Sequence, residues 1–524
     1  MEKLVRILML VMLILTLAMS AAFAAAKGKI IFIPHDNRPI SKAETAEVVE
    51  KLGYEVVMPP DEILSNGKDR YGKTDRLWAW TKENIHGADA AVISTDTMIY
   101  GGLVPSRNHS FSEEELAARA ENFRELRKAN PNFKIYGFGS LMRTPRSGIY
   151  AGAEEPPYYF ASGADIFTAT ALMDKQETEG LTAKEEIKLN EHRDKVAAAD
   201  WEDWLGRRGK NINVSKKLID FTREGVFSYF VIGKDDNAPY SQTHREGRLL
   251  EKYSVALPET KFQLLAGIDE FGMLLLARAV NDHEQQMPFI FVKYAPGTGA
   301  DTVPSYSDTK IGDTIRSSIL TAGGLMVNNP AKADFYLVVN TNRDGKTGEA
   351  NFANDGLNRK NTKAVSNLVN EAVQNGYRTG VADIAFANGA DNALMNSLRD
   401  RGLLYKISAY AGWNTPTNST GFVVGTGLLA NRLSPKAQDD LLTRRYLEDW
   451  GYQANVRTTV GNEIFKFRQA NVYSNIGEYE KGIVYRINQK IREFAAGNLP
   501  PFNELVRLKV RLPWHRMFEA EFKY

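Results

Sequence analysis

Two adjacent acidic pairs, Asp235-Asp236 and Asp269-Glu270, carry the sharpest chemical signal in the chain. Successive residues on a strand point to opposite faces, so the members of such a pair diverge unless they stand at the strand's very end. At that end both can reach one pocket. Two carboxylates in different surroundings can divide into an acid and a base, nucleophile or orienting group, the division that glycosidic cleavage requires. Glu270 or Asp236 would be the general acid, with Asp269 or Asp235 as its partner. The ends of other expected strands present further polar side chains. Asp36, Asn37 and Arg38 follow the first strand, Asp96 and Tyr100 the third, and Arg143 the fourth. Asn237 follows the first acidic pair, Asp383 and Asp391 a later strand, and Trp413 and Asn414 the last. Acids, amides, arginines and aromatic rings together suit a carbohydrate or other polyhydroxylated ligand, held by bidentate hydrogen bonds and a stacked ring.

The elements that would present these residues read as an α/β protein with a largely parallel sheet. Short apolar runs such as Lys29–Pro34, Ala88–Thr95, Phe133–Phe138, Phe227–Gly233, Phe262–Gly267 and Phe289–Tyr294 alternate with helical patterns. Most runs are continuous rather than alternating, as expected when helices cover both sheet faces. Ligands of such sheets bind outside the carboxyl ends of the strands, which is where the polar residues cluster. The N-terminal βα unit is expected over 25–294, as a TIM-barrel-like or open sheet with a charged helical insertion at 151–220. A second, smaller α/β unit follows over 295–433, and a mainly helical tail over 434–524. Between the units, Ala295–Asp313 is rich in Gly, Pro, Ser and Thr and reads as a linker or a long active-site loop. Ser41 with Glu44 three residues on has the pattern of a capping box. The glycines of Gly421–Gly427 read as a close helix contact, since the Lys-Ser/Thr of a phosphate loop is missing.

Lys3 and Arg6 precede an apolar run from Ile7 to Leu17 and an Ala22-Phe23-Ala24 end, the order of a secretory signal peptide over residues 1–24. Export to the periplasm, the cell surface or the medium is expected, with no stable membrane insertion after cleavage. Composition narrows the chemistry further. The 524 residues include no cysteine, which removes thiol nucleophiles, disulfides and cysteine-ligated metals. A net charge of +2 disfavours nucleic acid as a partner. The seven histidines form no H-E-x-x-H, and no G-x-S-x-G elbow is present. No cofactor is expected. Asp36, Asp96, Asp235 and Asp269 could hold Mg²⁺ or Ca²⁺ through oxygen, but carboxylates working without metal are the favoured reading.

Two resemblances bear on this reading. Leu264–Phe271, with Gly267-Ile268-Asp269-Glu270, resembles the strand end of family 20 hexosaminidases. That likeness implies an acetamido-orienting role for Asp269 and a general-acid role for Glu270. Asp235-Asp236 is similar to the paired aspartates of O-GlcNAc hydrolases. A broader likeness covers nearly the whole mature chain, which resembles the bacterial domain-of-unknown-function (DUF) family 4127. It is carried by Ile33–Pro39, Ser94-Thr95-Asp96 with Tyr100–Val104, Lys234–Asn237 and Gly267–Glu270 with Leu275–Arg278. Ala382-Asp383 with Asn388–Asp391, and Ala409–Thr415, complete the set. His35 departs from the acidic or neutral residue expected before Asp36-Asn37-Arg38. The family implies identity but no activity. The residues themselves favour an exported glycoside hydrolase, with amino sugars as the expected substrates. The alternatives are a non-catalytic exported glycan- or metabolite-binding protein and a metal-dependent phosphoester hydrolase.

Overall fold

Two open parallel sheets with the same strand order make up the scaffold. A computed structural model describes residues 26–67, 69–148, 154–351, 354–465, 472–473, 475–499 and 507–524. The signal segment lies outside the described residues. The first half runs β1 (Lys29–Ile33), α1 (Ala43–Glu50), β2 (Glu55–Val57), α2 (Thr74–Asn84), β3 (Ala90–Ser94), α3 (Thr95–Ile99), α4 (Leu103–Asn108), α5 (Glu113–Ala129) and β4 (Lys134–Leu141). The helical insertion follows as α6 (Tyr159–Thr178), α7 (Ala183–Asp194) and α8 (Ala198–Arg223). Then come β5 (Tyr229–Lys234), α9 (Gln242–Ser254), β6 (Phe262–Ala266) and α10 (Phe271–His283). The second half contains β7 (Phe289–Tyr294), α11 (Ile311–Thr321), β8 (Leu325–Met326), β9 (Phe335–Asn340), β10 (Gly348–Glu349), α12 (Thr362–Gln374), β11 (Thr379–Asp383) and β12 (Phe386–Ala387). It continues with α13 (Asn392–Asp400), β13 (Ala409–Ala411) and α14 (Pro416–Leu429).

The first sheet has the order β2-β1-β3-β4-β5-β6 and the second β8-β7-β9-β11-β13, with every pairing parallel. Counting only each sheet's own strands, the first reads 2-1-3-4-5-6 and the second 2-1-3-4-5, the doubly wound order whose direction reverses between strands 1 and 3. Neither sheet closes into a barrel. One expected boundary shifts. Phe289–Tyr294, assigned from the sequence to the N-terminal unit, pairs with β8 and β9 and founds the second sheet instead. The Gly/Pro/Ser/Thr-rich segment after it is thus the first strand-to-helix loop of the second half rather than a linker.

Burial follows the apolar runs. β1, β3 and β5 are buried along almost their whole lengths, as strands covered on both faces must be. Helices α10 and α14 lie back to back between the sheets, α10 against β1, β3 and β4 and α14 against β9, β11 and β13. One apolar core consequently runs from Phe32 through Leu275 and Val424 to Leu337. Each such side chain contributes about 1.5–3 kcal/mol on burial. The close approach depends on the glycines of α14. A Cβ on Gly421 would meet Glu270 Cγ at 2.3 Å, one on Gly425 Met273 Cγ at 2.8 Å, and one on Gly427 Phe335 Cε1 at 2.2 Å. Gly421→Ala is therefore expected to lower the unfolding free energy by about 1–3 kcal/mol, in spite of alanine's better helix propensity. A urea titration reads this directly, and an unchanged midpoint would show that the gap tolerates a methyl group.

The tail begins as α15 (Pro435–Arg445) and widens into a π-helical segment over Tyr446–Val456. It goes on through α16 (Arg457–Phe465) and α17 (Glu480–Asn498) to the antiparallel pair β14 (Lys509–Arg511) and β15 (Glu521–Lys523). Trp450, which the polar neighbouring sequence suggests is exposed, is buried in the core beneath the second sheet. The expected capping box at Ser41 does not form. Ser41 Oγ lies 3.1 Å from His35 Nε2, and Glu44 pairs with Arg445. No helix among the described residues is long and apolar enough to cross a membrane.

Candidate active site

The carboxyl ends of both sheets converge on one cavity of about 420 Å³. From the first half it takes Arg38 after β1, Arg107 on α4 beyond β3, Arg143–Ser147 after β4, Asp235–Asn237 after β5, and Gly267 and Asp269 after β6. From the second half it takes Ser305 and Tyr306 after β7, Glu349 in β10, Asn388 after β12, and Asn414, Thr415 and Asn418 after β13. Tyr473, Trp514 and Phe518 of the tail and Phe167 of α6 supply aromatic wall. This is the site that the doubly wound topology dictates, here formed by two sheets at once.

Asp269 is the hub. It accepts from Arg38 Nη2 at 2.7 Å and from Asn414 Nδ2 at 2.7 Å, and its other contacts are His35 Nε2 at 2.9 Å and Asn418 Nδ2 at 3.3 Å. Burial alone would raise its carboxyl, yet the Arg38 guanidinium and the His35 ring hold it far below the usual carboxylate range. The unexpected His35 thus has a place as one of the groups around this carboxylate. Arg38 is itself aligned by Asp36, whose carboxylate takes its Nε at 2.9 Å and its backbone N–H at 3.0 Å. Across the cavity, Arg107 donates to Asp235 at 2.5 Å and to Glu154 at 2.9 Å. Arg143 donates to Asp236 at 3.0 Å and to Glu155 at 2.7 Å. Burial and the adjacent Asp235 carboxylate push Asp236 up to about 6, against the pull of Arg143. The halves are stitched together beside it: the Asn237 N–H donates to the Tyr306 carbonyl at 3.1 Å, and Lys234 reaches Asp308 at 2.7 Å.

Backbone strain concentrates here. Asp236 (φ 34°), Tyr306 (φ 64°), Asn388 (φ 60°), Asn414 (φ 47°) and Trp514 (φ 54°) all line the cavity with left-handed backbones. Such conformations cost about 1–3 kcal/mol each and gather where geometry is held for function. Trp514 is fixed by a hydrogen bond from Nε1 to Asn37 Oδ1 at 2.8 Å, with the Arg38 and Arg516 guanidinium carbons 5.1 and 4.4 Å from its ring centroid.

Of the residues singled out from the sequence, Arg38, Arg143, Asp235, Asp236, Asn237, Asp269 and Asn414 line the cavity, and Asp36 and Asn37 stand directly behind it. Others lie elsewhere. Glu270 is fully buried, with its stem against Gly421 of α14 and its carboxyl beside Gly267, and burial drives that carboxyl well above the usual range. Its backbone is already helical, so it turns around the helix axis from Asp269 rather than standing beside it at a rim. Trp413 is buried in the main core and offers no stacking face, and the cavity's indole is Trp514. Tyr100 is buried against His109, with ring centroids 5.1 Å apart. Asp96 lies inside, accepting from Ser140 Oγ at 2.7 Å, with its carboxyl pushed up to about 7 by burial. Asp383 and Asp391 form a separate buried network with Asn340 and Tyr410, where Asp391 also caps α13.

The sequence reading also passed over residues that line the cavity, among them Arg146, Glu154, Tyr306, Glu349 and Trp514. Glu154 opens the insertion and Trp514 sits in the tail, so neither follows a strand. The adjacent acids of Glu154-Glu155 and the isolated Trp514-His515-Arg516 were the available signals. Among the described residues no three His, Asp or Glu side chains converge as a metal site, and Asp36, Asp96, Asp235 and Asp269 do not gather as one. A family described as a protein of unknown function (DUF4127) matches residues 30–523. No curated protein and no solved structure matches the chain.

Proposed function

Because the chain belongs to the DUF4127 family, whose description assigns no activity, its own cavity must supply the functional reading, and we propose that it is an exported glycoside hydrolase. One observation carries this: carboxylates lining a single cavity have proton affinities driven apart, Asp236 up to about 6 and Asp269 far down. A separated pair of this kind is what acid-assisted glycosidic cleavage uses. Asp236 gives its proton to the glycosidic oxygen as the C1–O bond breaks. The permanently ionised Asp269 faces the positive charge that develops on the sugar ring. Held by so many donors, Asp269 is too weak a base to take a proton from water. That leaves Asp235, with its one arginine partner, as base or nucleophile. Arg38, Asn414 and the aromatic wall orient the sugar. The amino-terminal sequence supports export.

Asp236→Asn should lower turnover of an unactivated disaccharide about 10²–10⁴-fold and that of a dinitrophenyl glycoside far less, because a good leaving group needs no proton. Wild-type turnover should fall as pH rises above about 6, where Asp236 gives up its proton. A panel of aryl glycosides and disaccharides on the purified protein tests both. Equal losses for both leaving groups would remove the acid role. Saturable sugar binding with no turnover would make the protein a binding protein instead.

A further inference from the structure

The arginines around the cavity are not equivalent. Arg38 is bonded to Asp36 and Asp269, Arg107 to Asp235 and Glu154, Arg143 to Asp236 and Glu155, and Arg516 to Glu154 and Glu519. Arg146 lines the same cavity, is exposed to solvent, and has no carboxylate partner among the described residues. Its guanidinium lies over the Phe167 ring, 5.2 Å from the centroid. The backbone that leads into it is pinned twice. The Pro145 carbonyl accepts from Tyr159 Oη at 2.9 Å, and Thr144 Oγ1 lies 2.8 Å from Thr243 Oγ1. The helical insertion therefore supplies both the aromatic shelf beneath Arg146 and the tether for its loop.

A guanidinium fixed over an aromatic face, facing a cavity whose other arginines are already neutralised, is an unfilled anion partner. Its planar fork matches a carboxylate in two parallel hydrogen bonds. We propose that Arg146 forms a subsite for a carboxylate on the bound glycan, so that the substrate is an acidic sugar such as a uronic acid. The turnover part of this proposal rests on the glycosidase reading. The subsite itself rests only on Arg146, Phe167 and the cavity.

Two measurements keep the claims apart. In the first, matched uronides and neutral hexosides are compared as substrates. Wild type should favour the acidic member about tenfold or more in kcat/KM, and Arg146→Gln should bring the ratio close to one. Arg146→Lys, a point charge without the fork, should recover part of the preference. In the second, free glucuronate and glucose are titrated against the protein by calorimetry, which needs no turnover. Glucuronate should bind at least about tenfold more tightly, and Arg146→Gln should abolish the difference. If nothing is cleaved but this binding difference holds, the hydrolase reading falls and the anion subsite stands. Equal binding of acid and neutral sugar, an unaltered ratio in Arg146→Gln, or a preference for a sulfated sugar over the carboxylate would overturn the proposal.

Discussion

Asp269→Ala is expected to cost about 3–5 kcal/mol of stability, the largest effect of any single substitution at the cavity. Removing this carboxylate strands the Arg38 guanidinium with one counter-charge and leaves Asn414 and Asn418 without their acceptor. Arg38 and His35 belong to the first half and Asn414 and Asn418 to the second, so the loss falls on the junction as well as on the site. A shift of the urea midpoint reads it. The companion variant Asp269→Asn should recover part of the loss, because its amide oxygen still accepts a hydrogen bond and the Arg38–Asp36 pair stays intact. A loss below about 1 kcal/mol for Asp269→Ala would show that the hub is dispensable.

Moving from pH 7.5 to pH 5 should stabilise the fold by several kcal/mol. Burial pushes Asp96 up to about 7 and Asp383 up to about 6, and Asp449 and Asp236 rise to about 7 and 6. In the unfolded chain these groups ionise near 4. Below that value both states hold the proton and nothing is lost. As pH rises from about 4 to 7, the unfolded chain releases protons that the fold retains, so stability declines and then levels off. Each shift of two to three units corresponds to about 3–4 kcal/mol. Asp269 and Glu154 are depressed instead, so they lose stability only as pH falls below about 4. The melting temperature should therefore peak near pH 5, and Asp96→Asn should flatten part of the decline above it. A maximum at pH 7.5 or higher would contradict the placement of these acids in the interior.

Much of this arrangement was legible in the sequence, for a definable reason. Continuous apolar runs mark parallel strands, and ligands gather at their carboxyl ends, so Arg38, Arg143, Asp235, Asp236, Asp269 and Asn414 could be found without coordinates. What the pattern could not reveal is rotation at the rim. Asp269 and Glu270 are neighbours, yet the chain is already turning into α10, and Glu270 swings into the space left by Gly421. Trp413 and Asn414 part in the same way, the indole inward and the amide to Asp269. The identity of the sheet to which β7 belongs was equally hidden, because a strand's own residues do not state its partners. Trp514 and Glu154 lie on no strand, so a search of strand ends passes over them.

The hydrogen bond between Asn37 and Trp514 joins positions 477 residues apart. Closing so long a loop costs more chain entropy than the more local pairings that build each sheet. A chain with both sheets formed and the tail undocked has its arginines and aspartates in place but lacks the part of the aromatic wall that Tyr473, Trp514 and Phe518 supply. Brief release of β14 and β15 from the native state would open the same wall without unfolding either sheet. Occupancy of the site thus reports on the docking of the tail, and a ligand that touches Trp514 holds the two ends of the chain together.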